Sequence, residues 1–270
     1  MVSFFNIMYN KDNFPLKEGF LVKKFLIMTL LLLSLFTLGG CTIIDYLTEP
    51  DEIQLRLMDA RAVGREATLG IKVEKSDRTF ANTSESTAFG SGFVFSQSDT
   101  DYYILTNHHV IDPEDFSEVI YTVFNLETED VAATLLYINP DKDLALLSVS
   151  KDDITLGILD IDQRKDTRFT SRELLLSVGY PSDIRGLVTY GEYLGMGTTD
   201  KVDFEVIAHS ALIYPGNSGG PLLDLDGNVV GINTWSSSNN QERFMAIPLG
   251  VIHDFIAAWE ATYDSSADAR

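Results

Sequence analysis

The sequence is poor in several residue types, and each scarcity narrows what the protein can be. Its 270 residues include a single cysteine, which excludes a disulfide within the chain. Only 8 prolines occur, while 45% of the residues are hydrophobic. That balance is typical of a folded chain with a sizeable core, not of a disordered one. With only 4 histidines, any chemistry that needs an imidazole has few candidates.

Positive charge is also scarce. The chain carries 20 Lys and Arg against 40 Asp and Glu, a formal net charge of −20. A surface this anionic argues against nucleic acid as a partner and against binding to anionic lipid through charge. The acidity also favours solubility, so it identifies no substrate.

The N-terminal part contains the one long apolar run. Lys23 and Lys24 precede an apolar stretch from 25 to 38, which is followed by Gly-Gly at 39–40 and then Cys41. A basic start, an apolar middle and small residues before a cleavage point are typical of a secretory signal. The apolar stretch is short for a membrane span of about 20 residues.

The sequence "LGGC" resembles the lipobox of bacterial lipoproteins. This resemblance implies that Cys41 is lipidated and becomes the mature N-terminus; the alternative is a chance cysteine after an ordinary signal. We therefore expect residues 1–40 to be an N-terminal extension with a lipoprotein signal peptide, and residues 41–62 to be a lipidated tether ending in a short amphipathic helix. The protein would be exported and held by its lipid on the bacterial cell membrane or cell envelope.

The chain changes in character at Thr68. From there, short β-branched and aromatic runs alternate with Gly, Asp, Asn and Ser turns, which predicts an all-β sandwich or barrel. Asp226-Gly227, between two apolar runs, predicts a two-residue hairpin. Only residues 248–263 return to a helical period, with one apolar face formed by Val251, Ile252, Phe255, Ile256 and Trp259.

One serine lies in an unusual setting, within "LIYPGNSGGPLL" at 212–223. Ser218 is flanked by glycines, and a serine becomes a nucleophile only when a base takes its proton and donors stabilise the resulting oxyanion. The glycines allow backbone N–H groups to turn toward that oxyanion. We expect Gly216 and Ser218 to supply these N–H groups, with Asn217 between them. The alternative is a purely structural glycine-rich turn.

A base and an orienting carboxylate must come from elsewhere in the chain. His108 and His109 end the apolar strand "YYILTNHHVI", and adjacent strand residues point to opposite faces, so only one of them would face a shared cleft. His209 and His253 are interpreted as ordinary surface or core residues. For the carboxylate, "INPDKDLALL" offers Asp141 and Asp143, either of which could hold the imidazole.

Taken together and in this order, "TNHHVI", "DKDLALL" and "GNSGGPL" resemble the His, Asp and Ser motifs of the chymotrypsin-fold serine proteases, most closely those of the HtrA (DegP-like) and V8-like bacterial branches. In that family the catalytic histidine precedes Val and the aspartate precedes Leu-Ala. The resemblance therefore implies a catalytic triad of His109, Asp143 and Ser218, with Gly216, Asn217 and Ser218 forming the oxyanion hole. It implies no metal and no cofactor.

The resemblance also implies an architecture. We expect two six-stranded antiparallel β-barrels followed by a C-terminal helix, with the protease domain at 63–262 and a flexible tail at 263–270. Family members are often trimers, which makes a homotrimer the expected assembly. Many also carry a C-terminal PDZ domain, for which the residues after Pro248 are too few, so we expect none here.

The implied function is a membrane-anchored serine endopeptidase that hydrolyses exported or misfolded proteins. The alternative is a catalytically silent binding or scaffold lipoprotein on a protease fold. The residues expected to line the substrate pocket are Leu212, Ile213, Tyr214, Asn233, Thr234 and Trp235. None of them is acidic, so we expect the pocket to accept small or medium apolar side chains of the substrate and not Lys or Arg.

Overall fold

The computed structural model describes residues 52–78, 83–164, 168–181, 184–236 and 243–267. The predicted signal and lipidation segment lies outside these ranges. Within them, no helix is both long enough and apolar enough to cross a membrane.

The described chain contains three helices and thirteen strands. The helices are α1 (Glu52–Ala67), α2 (His108–Ile111) and α3 (Leu249–Ala267), and a 3-10 turn spans Pro140–Lys142. The strands are β1 (Thr68–Arg78), β2 (Thr83–Gln97), β3 (Asp101–Thr106), β4 (Glu118–Phe124), β5 (Val131–Ala132), β6 (Thr134–Asn139), β7 (Leu144–Ser150), β8 (Leu174–Gly179), β9 (Leu187–Gly197), β10 (Val206–His209), β11 (Pro221–Leu223), β12 (Val229–Ser236) and β13 (Phe244–Pro248).

The strands form two antiparallel units, the first from β1–β7 and the second from β8–β13. The first is a seven-stranded sheet in the order β5-β4-β1-β2-β3-β7-β6, and the second is a closed six-stranded barrel in the order β10-β13-β12-β11-β8-β9. This confirms the predicted double-barrel class with its C-terminal helix. The first half differs in detail, since over the described strands it is an open sheet with the two-residue β5 as an additional edge strand.

Strand alternation explains how β7 serves two cores. Its run Leu144–Val149 is almost fully buried because both faces of the strand are covered. Leu144 and Leu146 pack with the core that includes Phe255, whereas Ala145 and Leu147 pack with the core inside the first sheet. Successive side chains point to opposite faces, so an uninterrupted apolar run supplies both sides at once.

The two long helices, α1 and α3, pack against the strands through their apolar faces. Helix α3 buries Ile252 and Phe255 completely, and Trp259 lies edge-on to Tyr103 of β3, with ring centroids 5.3 Å apart. The helix follows the second barrel in sequence and therefore ties the first sheet to it. Helix α1 continues to Ala67, beyond the expected end of the tether at residue 62, because Gly64 lies against Val178 and Leu223 of the barrel.

The predicted hairpin at Asp226-Gly227 is present, but its connection is longer than two residues. Strands β11 and β12 are separated by 224–228, and Gly227 has a left-handed φ of 80°. The buried Asp224 carboxylate accounts for the extra length, since it accepts hydrogen bonds from the backbone N–H groups of Asp226 and Asn228. An aspartate that bonds its own loop in this way competes with a tight turn.

Candidate active site

Asp143 is placed by the 3-10 turn that precedes β7. The Asn139 side chain accepts from the Lys142 N–H and begins the turn, and Asp143 ends it in a left-handed conformation with φ of 52°. Its N–H donates to Pro140 O over 3.1 Å, and its own carbonyl accepts from Asn107 Nδ2 over 3.0 Å. Asp143 is 7% exposed, whereas Asp141 is on the surface, so the fold distinguishes the two carboxylates that the motif left open.

His109 lies directly against Asp143. Its ring Nδ1 is 2.8 Å from Asp143 Oδ2, and its backbone N–H donates to Asp143 Oδ1 over 2.9 Å. Since a carboxylate only accepts, Nδ1 carries a proton, and in the neutral form of the ring Nε2 then has the lone pair that a general base requires. The side chain is 43% exposed, so this nitrogen is accessible from solvent.

Strand alternation was expected to decide which of His108 and His109 faces the cleft. The structure instead places both residues in a helix. Both residues belong to the short helix α2, in which consecutive side chains are rotated by about 100° instead of pointing to opposite faces. Of the two histidine rings, only that of His109 contacts the Asp143 carboxylate.

Ser218 lies on the glycine-rich loop between β10 and β11. Gly216 and Gly219 have φ values of 100° and 87°, a region that L-residues rarely adopt. Among the described residues, the N–H groups of Gly216 and Ser218 have no acceptor. The Asn217 N–H, by contrast, is paired, since it donates to Tyr214 O over 2.9 Å.

Thr234 connects the two halves of the site. Its hydroxyl donates to Asp143 Oδ2 over 2.9 Å, and its carbonyl accepts from Ser218 Oγ over 3.1 Å. Thr234 was expected to line the substrate pocket, but its buried side chain is used to hold Asp143. In the described structure, Ser218 Oγ therefore donates to Thr234 O and not to His109, and rotation about the Cα–Cβ bond is needed before it can donate to the imidazole.

Ser91 of β2 is a site residue that sequence reasoning missed. Its N–H donates to Ser218 O over 2.8 Å, and its hydroxyl donates to Gly216 O over 2.6 Å. The same hydroxyl accepts from the Tyr180 N–H over 2.8 Å, and Ser91 O accepts from Thr106 Oγ1. The first sheet thus fixes the carbonyls of Gly216 and Ser218, on both sides of Asn217, and so holds the backbone of the nucleophile loop. The only sequence signal was the serine within "GSGFVFS".

The remaining expected pocket residues fall into two groups. Leu212 and Tyr214 are 45% and 50% exposed, and Ile213 and Trp235 are partly exposed, so all four present apolar surface to solvent on the chain segments that flank Ser218 and Thr234. Asn233 differs from this expectation because its fully buried Nδ2 donates to the carbonyls of Gly220 and Pro221. It braces the strand behind the nucleophile.

His209 is fully buried in β10, nine residues before Ser218. Its ring lies 6.1 Å from the Phe244 ring, centroid to centroid, and among the described residues neither ring nitrogen makes a hydrogen bond of ordinary geometry. Burial lowers the pKa of His209 from 6.5 to about 4, and the Ala211 backbone offsets this only in part. The imidazole is therefore neutral in the folded protein at neutral pH.

We expect this histidine to make stability fall with acidification. Because the unfolded chain binds a proton at higher pH than the folded chain, its contribution is fully present above 6.5 and is lost as the pH falls toward about 4. The difference corresponds to roughly 3 kcal/mol. Urea unfolding across this pH range should show a shallower loss for His209→Leu than for the parent. His108→Leu is the control, and an equal slope in the parent and His209→Leu would contradict the prediction.

The described residues contain no group of three or more His, Cys, Asp or Glu side chains with the geometry of a metal site. What they bring together is an aspartate–histidine pair on the first sheet and a serine loop on the second barrel. This arrangement on a closed barrel beside an antiparallel sheet defines the chymotrypsin-like fold class.

The chain belongs to the trypsin-like peptidase domain family, whose model matches residues 90–232, more than half of the chain. It is 39% identical over 150 residues to a protein of Marinomonas sp. named "Probable periplasmic serine endoprotease DegP-like", covering 54% of this chain and 29% of that protein. It is 33% identical over 160 residues to the "Serine protease Do-like HtrA" of Bacillus subtilis, covering 56% and 34%. The chain thus spans about a third of the length of these relatives.

Solved structures show the same fold. An HtrA-type protease, AlgW, solved with a decapeptide superposes with a TM-score of 0.61 at 23% identity, covering 76% of this chain and 67% of that one. A protease from M. tuberculosis in its active form gives 0.58 at 20% identity, covering 78% and 87%. At these identities the likeness concerns the fold alone.

Proposed function

We propose that the protein is a serine endopeptidase that hydrolyses peptide bonds of protein substrates by acyl transfer. The observation that carries this proposal is the contact of His109 Nδ1 with the buried Asp143 carboxylate, 2.8 Å long. Opposite this pair lies the serine loop, in which the N–H groups of Gly216 and Ser218 have no acceptor among the residues that the structure describes. Ser218 attacks the carbonyl carbon while His109 Nε2 takes its proton. Asp143 stabilises the imidazolium, and the N–H groups of Gly216 and Ser218 bind the oxyanion.

The second half of the reaction uses the same groups. His109 returns its proton to the leaving amine as the C–N bond breaks, which leaves an acyl ester on Ser218. Water, deprotonated by His109, then attacks the ester carbonyl. As the bond from the acyl carbon to Ser218 Oγ breaks, His109 returns this proton to Oγ, which releases the acid product and regenerates free Ser218 and His109. The proposal is tested by hydrolysis of an unfolded model protein, together with fluorophosphonate labelling and peptide mapping of the labelled residue.

A second candidate, a catalytically silent binding protein, is favoured by one observation. The Ser218 hydroxyl donates to Thr234 O, 3.1 Å away, instead of to the imidazole. The silent protein would neither cleave the model substrate nor accept the label, whereas the peptidase would do both. Three residues with the roles of orienting carboxylate, general base and nucleophile favour the peptidase, because binding alone requires none of them.

We further propose a preference for small or medium apolar side chains at the cleaved bond. Leu212 and Tyr214 expose apolar surface, and none of the residues expected to line the pocket carries an acidic group that would select Lys or Arg. Sequencing the products from an unfolded substrate should show cleavage after residues such as Ala, Val or Leu. Predominant cleavage after Lys or Arg would contradict this specificity.

Export and lipid anchoring through Cys41 complete the proposal. They are supported by the signal-like segment before Cys41 and by the word periplasmic in the name of the Marinomonas relative. Palmitate incorporation that disappears in Cys41→Ser would support the anchor, and incorporation that persists would contradict it. A homotrimer stays a prediction, to be decided by the mass of the full chain in solution.

A further inference from the structure

The end of the second barrel beside the nucleophile loop is formed by β10, β12 and β13. Strand β12 runs along the loop, since Thr234 O accepts from Ser218 Oγ over 3.1 Å. Two residues farther on, Ser236 pairs with Phe244, the first residue of β13. Phe244 pairs in turn with His209, the last residue of β10. Phe244 and His209 are therefore neighbours at the barrel end that carries the nucleophile.

Both of these side chains point into the barrel. Residues two apart on a strand share a face, and Ile207 and Ala246, two residues from His209 and Phe244, belong to the core inside this barrel. The rings of His209 and Phe244 lie 6.1 Å apart, centroid to centroid, and the two residues are 0% and 5% exposed. Together they fill the inside of the barrel at this end.

The side chain of a bound substrate residue enters the barrel at the same end. Its carbonyl carbon must reach Ser218 Oγ with the oxygen on the N–H groups of the nucleophile loop, while His109 and the first sheet occupy the other side of the serine. The way into the barrel lies between Leu212, whose carbonyl accepts from a β9 hydroxyl over 2.6 Å, and Ser236 at the end of β12. A side chain that enters there meets Phe244.

Phe244 makes this pocket shallow. Protein interiors are close-packed, so a substrate side chain gains depth only if the ring moves, and the buried His209 ring behind it blocks that movement. A methyl group or a β-branched side chain stops above the ring, whereas a side chain branched at Cγ or an aromatic ring overlaps it. The floor is also uncharged, because burial lowers the pKa of His209 to about 4 and keeps the imidazole neutral.

We propose that Phe244, supported by His209, closes the substrate pocket and restricts the residue before the cleaved bond to small side chains such as Ala, Ser or Val. Leu, which a broader apolar preference admits, becomes a poor substrate. Both residues act by the volume they occupy and need no polar contact with the substrate. The assignment rests on the proposed peptidase function and names the substrate class of that site.

Four succinyl-Ala-Ala-Pro p-nitroanilides that end in Ala, Val, Leu or Phe test the pocket, with kcat/KM measured for each. The full chain should cleave the Ala and Val peptides, with kcat/KM about 100-fold lower for Leu and lower still for Phe. Phe244→Val removes most of the ring and should raise kcat/KM for the Leu peptide by about tenfold or more. Phe244→Leu, which loses less volume, should give a smaller gain in the same direction.

Two variants serve as matched controls. Phe169 stacks on Tyr193 at the opposite end of the same barrel, with ring centroids 4.2 Å apart, so Phe169→Val should keep the parental order of the four peptides. His209→Leu keeps the volume behind Phe244 and should also keep that order. A small alkyl fluorophosphonate needs no deep pocket, so its labelling of Ser218 at the parental rate shows that a variant is folded and has its nucleophile.

The assignment is overturned if the parent cleaves the Ala and Leu peptides with equal kcat/KM. It is also overturned if Phe244→Val and Phe244→Leu label at the parental rate but gain nothing on the Leu peptide. Either result leaves the peptidase function intact. A parent that neither cleaves any peptide nor accepts the label overturns the peptidase function itself, and the assigned pocket with it.

Discussion

Replacing Ser218 by alanine should abolish hydrolysis, with a loss in kcat on the order of 10⁶, and should abolish fluorophosphonate labelling. The substitution removes a single oxygen. The contacts that hold the loop all involve backbone groups of residue 218 or its neighbours, such as the 2.8 Å bond from Ser91 N to the carbonyl of residue 218. The loop therefore keeps its conformation and loses only the nucleophile and one hydrogen bond to Thr234 O.

Ser150→Ala is the matched control, because this serine ends β7 away from the nucleophile loop. It should keep parental activity and labelling, and thermal unfolding should confirm that both variants are folded. The substrate is an unfolded model protein, and the labelled residue is identified by peptide mapping. Residual cleavage by Ser218→Ala at the parental rate, or a label on another residue, would refute the assigned nucleophile.

The main residues of the candidate site could be predicted from the sequence because each lies in a short motif with a local physical cause. Glycines around Ser218 are required by positive φ, and Asp143 precedes a strand that is buried on both faces, which forces the carboxylate into a buried position. Local patterns of this kind can be recognised without knowing the distant contacts. The all-β class and the C-terminal helix followed from the same type of pattern.

Residues that act across the fold could not be found in this way. Ser91 and Thr234 are 125 and 16 residues from their partners Gly216 and Ser218, and nothing local distinguishes them from ordinary strand residues. Strand alternation also failed at His108 and His109, since the chain turns into a helix where the apolar pattern still continues. Tertiary contacts decide such positions, and a single sequence does not contain them.

Asp143→Asn should reduce kcat by about 10⁴ while leaving KM nearly unchanged. Three donors converge on the Asp143 carboxylate: the His109 backbone N–H, His109 Nδ1 and the Thr234 hydroxyl. An amide has one oxygen and one NH₂ group, so at least one of these contacts must reverse. The NH₂ group is paired if His109 Nδ1 accepts from it, which places the imidazole proton on Nε2 and removes the base.

A milder substitution at Thr234 tests how far the orientation of Asp143 matters while its charge is kept. Thr234→Val removes one donor to Asp143 but keeps the backbone carbonyl that accepts from Ser218, so kcat should fall by only about tenfold, and Thr234→Ser should restore it. Asp141→Asn, two residues away on the surface, should have no effect. Steady-state kinetics on one peptide substrate compare all four variants. If Asp143→Asn kept the parental kcat, His109 would not depend on this carboxylate for its tautomer, and the buried pair would serve only to brace the first sheet against β12.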